Sequence, residues 1–218
     1  MDNPIIEFKN FTFQYRAQKN PTLFGINLRI FQGEKILIAG PSGSGKSTLG
    51  CCLNGLIPFN SPGKITGELT INGEKPASIF QLSNIVGTVL QDTDGQFVGL
   101  SSGEDISFSL ENRACPQNEM KRLVLEAAKL VGAQNYLNHS PQRLSGGQKQ
   151  RVSIAGVLID RAPILLLDEP FSNLDAKLRA NVREEIHSII KTAGISAILV
   201  THDNEDVAAC ADRVIAVD

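Results

Sequence analysis

Hydrophobic and polar positions change period several times along this chain, and each change marks a new element. Ile5–Lys9 and Ile26–Ile30 alternate apolar and polar side chains, as half-buried strands do, with Asn20-Pro21 as a turn between them. Lys35–Ala39 is a short apolar run, a buried strand followed by a glycine-rich loop. The apolar stretch Ser47–Leu56 suits a helix, which Pro58–Gly63 breaks. Glu68–Ile71 reads as a strand closed by an Asn72-Gly73 hairpin turn, and Ile85–Leu90 as another strand. From about 92 to 145 the pattern turns helical. Pro116–Val131 carries Leu123, Val124, Ala127, Leu130 and Val131 at helical spacing, with Pro116 suited to a first turn. After Gln148 come a helix, strand Ile164–Leu167, helix Ala176–Ile190, strand Ile195–Val200, helix Asn204–Ala211 and strand Arg213–Val217. Strands alternating with helices predict a parallel α/β core carrying a small helical subdomain. The chain stops directly after a strand, at Asp218, as a trimmed domain would.

Composition narrows the class. The chain has 218 residues, 42% hydrophobic and 20% charged, which suits a globular protein of one or two domains. A net charge of −2 leaves no electrostatic footprint for nucleic acid or anionic lipid. The apolar runs, such as Ile164-Leu165-Leu166-Leu167, are far shorter than the roughly 18 residues of a spanning helix. Met1-Asp2-Asn3-Pro4 opens no basic or apolar leader. Cys51, Cys52, Cys115 and Cys210 lack a metal-binding spacing and read as reduced, packing thiols of a cytosolic protein.

Candidate chemistry begins at Gly40-Pro41-Ser42-Gly43-Ser44-Gly45-Lys46-Ser47-Thr48, a complete G-x-x-x-x-G-K-[ST] loop between a strand and a helix. Its glycines let successive N–H groups converge on an anion. Lys46 can reach the β- and γ-phosphates of a nucleotide, and the Ser47 hydroxyl can meet Mg²⁺. Asp168 and Glu169 close the apolar strand Ile164–Leu167 at its carboxyl end, where ligands of open α/β sheets bind. Asp168 is placed to hold Mg²⁺, and Glu169 to face a water attacking the γ-phosphate. Gln91 and His202 also follow strands, and His202 can hydrogen-bond the phosphate or the water. Asp175 fits a helix N-cap or a contact with another subunit, and Asp203 fits a helix cap.

Leu144-Ser145-Gly146-Gly147-Gln148 is a second phosphate-touching segment. Adjacent glycines permit close backbone approach, Ser145 offers a hydroxyl, and a helix starting here would present free N–H groups. One nucleotide rarely needs two cradles from one chain, so this segment points to a nucleotide held by another subunit.

In this order, these pieces resemble the ATP-binding subunit of ATP-binding-cassette (ABC) proteins over nearly the whole chain. Leu144–Gln148 matches the family signature without a substitution. The resemblance implies one nucleotide-binding domain over 1–218: a P-loop NTPase, RecA-like α/β core with an N-terminal antiparallel β subdomain (about 1–91 and 161–218), and an inserted helical signature subdomain (about 92–160). It implies that Tyr15 stacks on adenine, though Phe11, Phe13 and Tyr15 also read as a strand's core stripe. It makes Gln91 the glutamine that meets Mg²⁺, Glu169 the catalytic glutamate and His202 the switch histidine. Ser172-Asn173-Leu174-Asp175 matches the D-loop. Ser145, Gly146, Gly147 and Gln148 would contact ATP on an opposing subunit, bound head to tail. ATP and Mg²⁺, a second ATPase subunit, an integral membrane partner and a peripheral place on the cytoplasmic membrane face are implied; nucleic acid is not. Asp94-Gly95-Gln96-Phe97, Asp105–Asn112 and Gln148–Leu158 are similar to the ATPases of energy-coupling-factor (ECF) vitamin and metal importers, with departures at Ser109 and Val98-Gly99-Leu100. The alternative is a soluble ABC ATPase acting on ribosomes or nucleic acid. Its DNA-repair form would need a coiled coil between Lys46 and Leu144, which are only about a hundred residues apart. A P-loop kinase has no use for Leu144–Gln148.

Overall fold

In a computed structural model, residues 3–92, 94–172, 176–203 and 211–217 are described, with backbone alone at 94 and 176–178. The aromatic-rich N-terminal strand organises the first sheet. Strand β1 (Ile6–Tyr15) lies between β2 (Leu23–Ile30) and β4 (Gly63–Ile71), antiparallel to both. Phe8 faces Leu28 and Leu69, and Phe13 faces Leu23 and Ile65. Between Phe8 and Phe11 the register shifts, with Asn10 in a left-handed conformation at φ 47°. That irregularity turns Lys9 and Asn10 both outward and returns Phe11 and Phe13 to the buried face. It also explains why alternation predicts a strand ending at Lys9, whereas the strand runs on to Tyr15. Asn72 and Gly73 form the predicted turn, both at positive φ, but its return arm is one bridge from Ile71 to Glu74.

The second sheet is parallel, in the order β5-β6-β7-β3-β8. Its strands are β3 (Lys35–Ala39), β5 (Val86–Val89), β6 (Ile164–Asp168), β7 (Ser196–Thr201) and β8 (Arg213–Ala216). Both faces of its central strands are covered, so they read as unbroken apolar runs. Leu37, Leu165, Leu167, Ala197 and Leu199 pack into one core with the helices of the 102–190 region. The intervening Ile36, Ile38, Leu166, Ile198 and Val200 pack into a second core with Phe8 and Phe13 of the antiparallel sheet. Helix α1 (Lys46–Leu53) lies in that second core through Leu49 and Leu53, and the short α2 (Leu56–Phe59) and α3 (Ile79–Ser83) follow.

Between β5 and β6 sit α4 (Ser102–Asn112), α5 (Gln117–Leu130) and α6 (Gly146–Leu158). Helix α4 begins with a capping box, Ser101 paired reciprocally with Glu104. Its buried face includes Ser102 and Ser107, whose hydroxyls donate to the His139 and Glu104 carbonyls, which weakens its apolar period in the sequence. Helix α7 (Ala176–Ala193) joins β6 to β7. The predicted helix Asn204–Ala211 lies almost wholly outside the described residues. Cys51, Cys52 and Cys115 are free thiols, and burial pushes Cys52 up to about 12.

Candidate functional site

The candidate residues gather because four neighbouring parallel strands end at one level. Ala39 pairs with Thr201, Asp168 with Val200, and Val89 with Leu167. Gly40, Glu169, His202 and Leu90-Gln91 therefore leave the sheet along one edge, at the strands' carboxyl ends.

At the first of these exits the chain wraps into the loop before α1. A Cβ on Gly40 would stand 2.1 Å from the Val217 carbonyl oxygen, so only glycine fits. Gly45 holds the left-handed N-cap of α1 at φ 96°. Pro41, Ser42 and Gly43 form the exposed turn of the loop. Two polar groups here lack ordinary partners. The Ser44 hydroxyl is buried without a hydrogen bond among the described residues. Lys46 is 4% exposed, and its ammonium donates to the Pro41 carbonyl at 2.7 Å with no carboxylate within ion-pair distance among the described residues. A nearly buried cation beside an orphaned hydroxyl fits an anionic ligand such as a polyphosphate.

Facing it, Ser47 Oγ donates to Asp168 Oδ1 at 3.4 Å. Two adjacent oxygen donors suit Mg²⁺, which fills its remaining positions with water and phosphate oxygens. Among the described residues no group of three or more His, Cys, Asp and Glu side chains is arranged for a metal. Burial raises the Asp168 carboxyl above its ordinary 3.8, and the neighbouring Glu169 charge adds to this, against smaller lowering effects of Ser47 and Lys46. The folded chain thus binds the Asp168 proton more tightly than the unfolded one. Stability is lost as pH rises from 3.8 through the raised value, and the cost persists at neutral pH. Asp168→Asn should therefore raise the melting temperature of the free chain. The same change should weaken Mg²⁺-dependent nucleotide binding; thermal melts with and without Mg²⁺ check both.

The Glu169 carboxylate is held at both oxygens. Gln91 Nε2 donates to Oε2 at 3.0 Å, and His202 Nδ1 lies 3.0 Å from Oε1. Glu169 is 17% exposed and His202 53%. The Glu169 backbone sits at φ 48°, uncommon for a residue with a Cβ. Three bonds hold it there: its N–H donates to the Val200 carbonyl at 2.9 Å, and the Ser172 N–H and hydroxyl donate to its carbonyl at 3.2 and 3.0 Å.

A family model described as ABC transporter matches residues 23–172, which include the loop, the acidic pair and the Leu144–Gln148 segment. The chain belongs to the ABC transporter family. An ABC transporter ATP-binding protein of Photobacterium profundum is 55% identical over 204 residues, 93% of this chain and 36% of that protein. The chain spans little more than a third of the length of the curated relatives it matches. Among solved structures, cbiO1 from Clostridium perfringens, part of the ABC transporter complex cbiONQ, is 31% identical with a TM-score of 0.90, covering 100% of this chain and 86% of that one. An ATP-binding cassette solved as a dimer in a post-hydrolysis state with ADP and Pi is 30% identical with a TM-score of 0.79, covering 98% and 94%.

In this ABC chain the signature Ser145 is the N-cap of α6. Its N–H donates to Gln148 Oε1 at 2.9 Å, and its hydroxyl accepts from the Gln148 N–H at 3.4 Å. The Gln148 carboxamide oxygen thus serves the cap rather than standing free. Ser145 and Gly146 are exposed, and Gly147 is buried against Val182 of α7. Among the described residues, the side-chain bonds of Ser145 and Gln148 run between these two residues and not to Gly40–Thr48. Tyr15 ends β1 with its hydroxyl 3.3 Å from Thr48 Oγ1 and its ring edge-on to Phe13 at 4.7 Å. Phe11 and Phe13 are core residues, while Tyr15 is half-buried beside α1. Asp175 lies outside the described residues.

Two contacts escaped the sequence reading. Gln96 accepts from the Leu90 N–H at 2.9 Å and donates to the Thr88 carbonyl at 3.2 Å, pinning the backbone that carries Gln91. Arg179 pairs with Asp203 at 2.6 Å, so Asp203 is more than a local cap.

Proposed function

We propose that this chain is the nucleotide-binding domain of an ABC ATPase that hydrolyses ATP in a head-to-tail pair and powers an ECF-type importer of a vitamin or metal ion. The observation that carries this reading is the Glu169 carboxylate, held between Gln91 and His202 beside Ser47, Asp168 and the nearly buried Lys46. The unit runs over 1–218, with a core of about 1–91 and 161–218 and a helical part of about 92–160.

ATP phosphates would take the place of the Pro41 carbonyl on Lys46 and engage the Ser44 hydroxyl. Tyr15 would stack on the adenine. Mg²⁺, held by Ser47 and Asp168 with Gln91 nearby, would supply electrostatic stabilisation of the phosphate oxygens. Glu169 would accept the proton of the attacking water, while the Lys46 ammonium and the loop N–H groups offset the charge on the transferring phosphoryl. His202, fixed at Nδ1, would turn Nε2 toward the γ-phosphate. Ser145, Gly146, Gly147 and Gln148 would close over ATP on the second subunit, with Asp175 at that junction. This pairing draws support from the exposure of Ser145 and Gly146 at the start of α6 and from the dimeric cassette found with ADP and Pi.

The membrane subunit would dock on the groove of about 390 Å³ between α3, β5 and α6, lined by Leu56, Ile79, Leu90 and Val157. Phe80 and Leu100, exposed by more than four-fifths, lie in the flanking segments. Among the described residues no helix is long and apolar enough to cross a membrane, so attachment would come through that partner, on the cytoplasmic face. The ECF assignment draws support from the likeness to cbiO1 of the cbiONQ complex.

Lys46→Ala should weaken ATP binding by roughly 10- to 150-fold, the loss of about 1.5–3 kcal/mol from a charge-assisted contact. Calorimetric titration with ATP and Mg²⁺ checks this. Unchanged affinity would remove the loop from the nucleotide site.

A further inference from the structure

Half-exposed at the end of β7, His202 has its ring held through Nδ1 on Glu169. One contact to one ring atom does not define where the imidazole points; its backbone must be fixed as well. The next residue supplies the fixing. Asp203 Oδ2 accepts from Arg179 Nη1 at 2.6 Å, and the Asp203 N–H donates to Thr201 Oγ1 at 3.0 Å. Arg179 stands in the first turns of α7, so the pair ties the chain leaving β7 to a helix across the site. The two side chains are 28% and 24% exposed, more withdrawn from water than a surface pair. Arg179 and Asp203 also line, with Glu169, Ser172, Thr201 and His202, one small cavity of about 40 Å³. The ion pair is therefore part of the wall against which Glu169 and His202 rest.

We propose that Arg179 is a positioning residue for ATP hydrolysis, holding His202 in register with Glu169 through Asp203. This rests on the hydrolytic reading above. Arg179 would act through Asp203, setting the angle at which the His202 ring is presented. Displacing a catalytic group by about 1 Å can cost on the order of 10²-fold in rate. Arg179→Ala should lower kcat by about 10- to 100-fold while leaving KM for ATP within about twofold. Arg179→Lys, which keeps the charge but not the planar fork, should recover part of the loss, and Asp203→Asn should resemble Arg179→Ala.

The deciding experiment is a double-mutant cycle with His202→Ala, run with NMR of the histidine ring signals. If Arg179 acts through His202, Arg179→Ala adds little to the loss already caused by His202→Ala. The chain has three histidines, so the His202 Cε1–Hε1 signal is assignable, and it should shift or broaden in Arg179→Lys and Asp203→Asn while His139 stays unmoved. Additive kinetic losses, or an unmoved His202 signal in both variants, would overturn the proposal. The NMR arm needs no turnover. A wild-type chain that failed to hydrolyse ATP would defeat the hydrolytic reading and leave the placement of His202 to be decided by the spectra.

Discussion

Glu169→Gln should lower ATP hydrolysis by about 10²–10⁴-fold, the usual contribution of a positioned general base. ATP binding should stay within about twofold of wild type, because Lys46, Ser47 and the loop N–H groups are untouched. The backbone at Glu169 holds φ 48° through the Val200 and Ser172 bonds, none of which involves its carboxylate, so glutamine inherits the same conformation. The carboxamide also keeps one acceptor and loses the negative charge, which separates proton acceptance from geometry. ATP that binds and is not consumed should accumulate the paired form, visible as a mass doubling in light scattering on addition of ATP. Single-turnover hydrolysis at the parental rate would end the role given to Glu169.

The second large effect is expected at Ser145. Ser145→Arg should abolish ATP-driven pairing and with it hydrolysis, while the isolated chain still binds ATP. Arginine removes the α6 cap, at about 0.5–2 kcal/mol, and sets a cation against the helix dipole, so local damage needs a control. Ser145→Asp provides it. Aspartate is as good an N-cap as serine and favours the dipole, yet it brings a negative charge to the surface where a γ-phosphate would arrive. Both variants should fail to pair, and Ser145→Asp should melt no lower than wild type. If either variant weakens ATP binding by the monomer, the α6 N-terminus belongs to the chain's own site and the two-subunit arrangement is wrong.

Much of this site was legible because its parts are local. The loop Gly40–Thr48 declares itself by spacing, and the strand before it by an apolar run. Ile164–Leu167 predicts β6 to within one residue because both faces of that strand are buried and nothing interrupts the run. Residue pairs distant in sequence were not legible. Gln91 and Glu169 are 78 positions apart, Arg179 and Asp203 24, and no periodicity links either pair. The shifted register at Asn10 breaks the two-residue period, so alternation predicts only the first part of β1, and serines on the buried face of α4 obscure its helical period. For Gln148, the family resemblance implies a contact with ATP, and in the free chain its side-chain oxygen caps its own helix.

The order of strands in the parallel sheet bears on how the protein comes into being. The antiparallel sheet is complete once the chain has reached Ile71, from residues close together in sequence. Strand β3, which launches the phosphate loop, lies between β7 and β8, and Leu37 finds its neighbours in Leu199 and Val214. During synthesis, Ile36-Leu37-Ile38 must therefore wait, with both edges unpaired, until Ser196–Thr201 has been made. Closing so long a loop is slow, and an open apolar strand is a hazard for self-association in the interval. Nor can ATP shorten the wait, since the Asp168 that faces Ser47 is itself 121 positions downstream. A nascent chain halted before β7 would carry the whole Gly40–Thr48 motif and lack both strands that flank β3.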